Sequence, residues 1–197
     1  VNPDFPSGFK SPAGMLLPDT LENILAVQAM FPVTSAAEML GQGSENEVSE
    51  AAQAAGEETV VAVWNERANR LRENDESVAL FKAAFPGEIM RESDITYAHA
   101  ANAIAAFEID SWRADNSPYD RFVRGDFSAM TRKSKRGMWL FHHRAGCSSY
   151  HSGDIFSDME HYAIAMPQIG PGKGNGLERN EDWGCYLVTR DEGHYAT

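Results

Sequence analysis

Apolar residues recur along most of this chain at helical spacing. Residues 1–18 are an exception, punctuated by Pro3, Pro6, Pro12 and Pro18 with Gly8 and Gly14, and they predict an ordered surface loop. A helix is expected from Asp19, where Asp19 and Glu22 have capping-box spacing and Leu21, Ile24 and Leu25 form one apolar face. It should end near Met30, because Pro32 disfavours a helical Phe31. Residues 33–56 are small and acidic and read as a long loop with room for a short helix. Three helices come next: 57–73 with Val60, Trp64 and Leu71 on one face, 76–85 ending at Pro86-Gly87, and 93–109 starting from a Ser93 cap. The many alanines of the third favour helix and allow close packing. Breaks are expected at Asn116-Ser117-Pro118 and Gly125-Asp126, and the domain boundary is placed at the second. A last helix runs from a Thr131 cap to about His143, with Met138 and Phe141 inward, and the glycines of 165–184 read as loop.

The expected class is therefore mostly α. Residues 193–197 stop without a closing element, and the chain is read as incomplete at both ends. A hydrophobic content of 43% supports a packed core and argues against disorder. No run of 18 apolar residues predicts a membrane span. The net charge of −12 suits solubility, or the steering of a basic partner. No Lys/Arg stripe is evident, which disfavours nucleic acid. Cys147 and Cys185 lie 38 residues apart; a disulfide between them is possible, but no pattern supports one, and the count does not fix the redox compartment.

The segment that bears chemistry is Gly137-Met138-Trp139-Leu140-Phe141-His142-His143-Arg144-Ala145-Gly146-Cys147-Ser148-Ser149-Tyr150-His151. Attachment of c-type haem uses C-x-x-C-H, in which two thiols add to the haem vinyl groups and the adjacent histidine ligates the iron. Here Tyr150 stands at the second cysteine, so one thioether at most can form. Taken alone, C-x-x-x-H is weak.

The flanking motifs give it context. Ser152-Gly153-Asp154-Ile155-Phe156-Ser157-Asp158, Ala163 to Gly174, Glu181-Asp182-Trp183-Gly184, Ser117-Pro118-Tyr119-Asp120-Arg121-Phe122 with Gly125-Asp126, Phe31-Pro32-Val33-Thr34-Ser35 with Glu38-Met39, and Asn46-Glu47-Val48 occur in family order. Together they resemble the bacterial di-haem cytochrome c peroxidases, relatives of the MauG enzymes. The resemblance implies cytochrome c-like helical domains with long loops. Residues 1–125 would be part of the N-terminal peroxidatic domain, with its haem motif missing, and 126–197 the start of the C-terminal cytochrome c domain. It implies reduction of hydrogen peroxide to water, with electrons from a small cytochrome c or copper protein, in the periplasm. Haem c would be held by Cys147 and His151, and His151 would be the axial iron ligand; Tyr150 departs from the family pattern, and its ring could stack on the porphyrin edge as a further haem contact. Glu38 would be the carboxylate that shuttles protons on the peroxide side. Calcium and a homodimer are further features that the resemblance leaves open for the full-length protein. Two other functions stay open: a MauG-type oxidase or maturation enzyme, and a haem-less interaction module, the latter motivated by Tyr150. Met166 is not expected to ligate iron. His99, His142, His143, His161 and His194 are read as structural or exposed. Trp64, Trp112, Trp139 and Trp183 are read as core or haem-packing residues.

Overall fold

The computed structural model describes residues 3–164, 172–179 and 181–192. The fold is mostly α, with no β-strand among the described residues and a single isolated bridge between Asn175 and Glu181. The chain forms two compact units, 1–115 and 116–197, which divide at the Asn116-Ser117-Pro118 break rather than at Gly125-Asp126.

Unit 1 contains α1 (Ile24–Ala29), α2 (Glu47–Ala54), α3 (Thr59–Arg72), α4 (Asp75–Ala84) and α5 (Tyr97–Ser111). Helix α1 starts five residues later than Asp19. The Asn23 side chain caps it, accepting from Leu25 and Ala26 N–H. The preceding backbone is engaged elsewhere: buried Asn102 of α5 donates Nδ2 to Thr20 O and accepts from Glu22 N–H. Two aromatic donors meet the other end of α1, Trp64 Nε1–H on Met30 O at 2.8 Å and Tyr97 O–H on Ala29 O at 3.3 Å. They satisfy carbonyls that a helix terminus leaves without partners.

The 33–56 region contains the full helix α2, capped reciprocally by Asn46 and Ser49. Helix α5 begins at Tyr97 rather than Ser93. Residues Glu92–Asp94 form a 3₁₀ turn instead, in which Asp94 accepts from Met90 and Arg91 N–H. His99 is consequently in the first turn of α5, where its Nδ1 accepts from Thr96 N–H at 3.0 Å and its ring meets Phe85 edge-on.

The core of unit 1 gathers Met30, Val48, Val63, Trp64, Ala101 and Ala105. Ala98, Ala101 and Ala105 lie on one face of α5, and their small side chains let α1 approach closely. Met30 is fully buried, so truncation to Ala there is expected to cost about 2–5 kcal/mol.

Unit 2 contains α6 (Pro118–Val123), α7 (Arg132–Trp139) and α8 (Tyr186–Thr189). Ser117 caps α6, with Pro118 in the first helical position that suits its fixed φ. The helix expected over 131–143 is two elements, since at Leu140–Arg144 it widens into a π turn. Among the described residues of unit 2 none is fully buried, and Leu140, Phe156, Ile155, Met159 and Ile164 are exposed.

Candidate cofactor site

The segment around Cys147 is shaped by two backbone devices. Thr131 Oγ1 accepts from Ser134 N–H and starts α7. The helix then loosens, and Ala145 N–H reaches back five residues to Leu140 O at 2.8 Å. Such π turns insert an extra residue and re-aim the residues beyond them, often at functional sites. Gly146 ends the element at φ 71°, a left-handed conformation that other residues adopt only with strain. Cys147–Ser149 form a 3₁₀ turn, and Cys147 O accepts from both Tyr150 N–H at 3.2 Å and His151 N–H at 2.9 Å. Ser148 O–H donates to His142 O and ties the turn to the π segment. Cys147, Tyr150 and His151 thus share one turn, as the sequence spacing requires.

The imidazole of His151 is oriented by one hydrogen bond. Nδ1 is 3.1 Å from Phe156 O. A carbonyl can only accept, so Nδ1 carries the proton and Nε2 of the neutral ring keeps its lone pair. The same arrangement fixes histidine ligands at metal sites. Phe156 itself adopts φ 54°, unusual for an aromatic residue, and this turn presents its carbonyl to the ring.

Phe141, His151 and Phe156 line an open cavity of about 330 Å³. Phe141 and Phe156 meet edge-on at 5.8 Å, and Phe141 lies 6.2 Å from the His151 ring. Tyr119 braces Phe156 at 5.3 Å, and its hydroxyl is 3.3 Å from His142 Nε2. Phe156 and Tyr119 stand within the flanking motifs, but their roles here were not legible, because a backbone carbonyl and a ring brace leave no spacing rule in a sequence.

Cys147 is half-buried and not disulfide-bonded, with Sγ 3.9 Å from Ala145 O. Tyr150 is not among the residues that line the cavity. Its ring packs edge-on against Tyr162 at 4.7 Å, and its carbonyl accepts from Asp158 N–H. Tyr162 O–H donates to Asp158 Oδ2 at 2.6 Å. That bond, aided by desolvation and the nearby carboxylates, pushes the Tyr162 phenol up to about 12. The same bond, with the Glu160 amide, lowers Asp158 from its ordinary value.

Glu38 belongs to unit 1 and is exposed. Its loop is tightly folded: the N–H groups of Glu38, Met39 and Leu40 all donate to Ser35 O, and Met39 N–H also to Pro32 O. Arg67 of α3 donates Nη2 to Met39 O at 2.6 Å, and Asn46 Nδ2 to Leu40 O. Of the neighbouring acids, Glu45 accepts from Gln42 N–H, and Glu47 in α2 pairs with Arg70. Met166 and His194 lie outside the described residues. His161 and Cys185 are neighbours, with Sγ 3.6 Å from the ring nitrogens, although 24 residues apart.

Among the described residues no group of three or more His, Cys, Asp or Glu could hold a metal ion. A haem is different. Its porphyrin brings four nitrogens, and the protein need add only an axial ligand. An imidazole with Nε2 available, a neighbouring thiol and two aromatic walls fit that group.

Fold and site together define a helical protein of cytochrome c-like character. The chain belongs to the di-haem cytochrome c peroxidase family, which matches residues 13–128. It is 30% identical over 182 residues, 79% of this chain and 47% of the relative, to cytochrome-c peroxidase IdrP1 of Pseudomonas sp. (strain SCT). It is 37% identical to IdrP1 of Denitromonas iodatirespirans over 99 residues, 50% of this chain and 25% of that protein. It is also 34% identical to the methylamine utilization protein MauG of Methylorubrum extorquens (strain ATCC 14718 / DSM 1338 / JCM 2805 / NCIMB 9133 / AM1) over 102 residues, 52% of this chain and 26% of that one. The chain spans about half the length, or less, of these curated relatives. No solved structure matches it. No helix among the described residues is long and apolar enough to cross a membrane.

Proposed function

We propose that the full-length protein is a di-haem peroxidase that reduces hydrogen peroxide to water, with electrons from a small cytochrome or copper protein, in the periplasm. Unit 1 is part of the peroxidatic domain and unit 2 the beginning of the electron-accepting domain. The observation that carries this reading is the His151 ring, held by Phe156 O with Nε2 available at the mouth of an aromatic cavity.

Haem c, when bound, supplies an iron that gains and loses one electron at a time. The chain's own residues do the rest. Cys147 would tether the group by a single thioether, and His151 would offer Nε2 to the iron. Phe156 O keeps that imidazole in one tautomer and fixes its plane. Phe141 and Phe156 exclude water from one side. Tyr150 supplies no thioether, and its ring braces Tyr162 instead. In unit 1, Glu38 holds and releases a proton at its carboxylate, as heterolytic cleavage of peroxide requires. Its exposure keeps it in exchange with solvent protons.

Likeness to MauG favours a second reading, in which the same site oxidises a protein or small molecule. Turnover by the full-length protein separates the two. Peroxide consumption matched to oxidation of a reduced small cytochrome is the expected result. Peroxide-dependent change in a protein substrate, with no cytochrome oxidation, would assign the MauG-type chemistry. Glu38→Gln is expected to lower the peroxide-dependent rate by about 10²–10⁴-fold while leaving the haem spectrum of unit 2 unchanged.

A further inference from the structure

The two units differ sharply in charge. Unit 1 carries 19 acidic and 7 basic residues, a net charge of −12, and unit 2 carries 10 of each. Within unit 2 the signs separate along the chain, since residues 121–144 hold seven basic residues and a single acid, Asp126. The stripe missed in the sequence is gathered by α7. Arg132, Lys133 and Arg136 share one face of that helix and are exposed. With Gly137 and Leu140 they line a concavity of about 720 Å³, and a Cβ added at Gly137 would meet nothing within 4 Å. Lys135 points elsewhere, donating to Phe127 O and lying over the Phe122 ring.

A solvated helix face ordinarily mixes signs and places acids in its first turn. Helices α2, α4 and α6 show that pattern, with Glu47 and Glu50, Asp75 and Glu76, and Asp120. Helix α7 has no acid in its first turn and carries Arg132 and Lys133 there. The helix dipole and mutual repulsion both disfavour that placement. The side chains of Arg132, Lys133 and Arg136 form no ion pair or hydrogen bond with the described residues. Apolar Leu140 at the concavity and exposed Trp139 beside it give the cations an apolar centre. An apolar centre with a charged rim is how transient protein interfaces are built.

We propose that this face of α7 docks an acidic, single-domain electron-transfer protein. The inference rests on the proposed haem site, because α7 leads through the π turn directly to Cys147. It also specifies the donor. The net charge of −12 favours a basic partner, but that charge belongs to unit 1, and the segment leading to the haem turn is basic. Three clustered cations suit a compact acidic patch better than the long run of phosphates in nucleic acid.

The test uses the full-length holoprotein with two reduced donors of similar size, one acidic small cytochrome c and one basic. The acidic donor should reduce the unit 2 haem faster, with a rate that falls steeply as salt rises. The Arg132→Glu, Lys133→Glu, Arg136→Glu variant should slow it by about 10–10³-fold and flatten the salt dependence. Acids at these positions suit the helix dipole, so α7 should persist, and circular dichroism checks that it does. The Gln counterpart should give an intermediate rate. Calorimetry with the oxidised acidic cytochrome reads docking apart from electron transfer, so a protein without haem still reports on the surface. Loss of the haem spectrum would count against the proposed function alone. Equal rates for wild type and variant, or preference for the basic donor, would overturn the docking proposal. So would salt-sensitive self-association abolished by the variant without cytochrome binding, or binding of a short duplex DNA in place of the cytochrome.

Discussion

His151 and Phe156 form the pair on which the site turns. Phe156 adopts a left-handed backbone, and its carbonyl fixes the imidazole. Phe156→Gly would keep that backbone without strain while removing a wall of the cavity. We expect haem to remain attached but its midpoint potential to shift, as redox titration would show. Phe156→Pro, whose φ cannot become positive, should release the imidazole and weaken axial ligation, seen as a change in the Soret band. Tyr162 offers a pH test. Its folded-state value is raised to about 12 above an ordinary 10, chiefly by the bond to Asp158. A raised value means that the bond's stabilisation is complete below pH ~10 and is lost as pH rises through about 12. Asp158 is lowered, so its contribution is present above its unfolded value near pH ~3.9 and lost as pH falls through the folded one. Tyrosinate absorbance should therefore show Tyr162 ionising late, alongside Tyr97, whose phenol burial also raises, and Tyr162→Phe should remove one of these late steps. An unchanged titration in the variant would contradict the assignment.

At the scale of elements, the loop bearing Glu38 is held by α3 and α2. Arg67→Met removes the donor to Met39 O and should speed amide exchange across residues 35–40 without unfolding α3. Asn46→Ala removes both the α2 cap and the bond to Leu40 O, at a cost of about 0.5–2 kcal/mol, measurable by denaturant unfolding. Several helices were legible because apolar spacing and N-caps are local signals: α3, α4 and the Thr131 start of α7 fall within about two residues of expectation. The illegible features depended on distant partners. Asn102 claims the backbone of Thr20 and Glu22 from 80 residues away, which shortens α1, and no local pattern encodes that. The short helix allowed for within 33–56 is α2, but its small residues gave no periodicity to place it, and its packing on α3 supplies what periodicity did not. The π turn adds one residue to a helical register and is invisible to a 3.6-residue rule. The Cys147 to His151 turn was readable because its chemistry fixes its spacing. The bonds that orient it were not.

Across the whole molecule the two units differ in what sustains them. Unit 1 has a core of buried side chains around Met30, Val63 and Trp64. Unit 2 has none among its described residues, although it is rich in exposed aromatic and aliphatic groups. A bound macrocycle that fills this gap would stabilise unit 2 by mass action. Heating the haem-free and haem-loaded chains should therefore give one cooperative transition common to both, from unit 1, and a second only when haem is present. Proteolysis of the haem-free chain should cut first after residue 116.

The most direct measurement is the alkaline pyridine haemochrome spectrum of the chain produced with the c-type haem attachment machinery, together with its intact mass. The account predicts one covalently bound haem, with the α-band of a single thioether, lost in Cys147→Ala; in His151→Ala the haemochrome band should be unchanged while the Soret band of the native protein shifts. A colourless protein of unmodified mass, or a haem whose attachment is indifferent to Cys147, would contradict it.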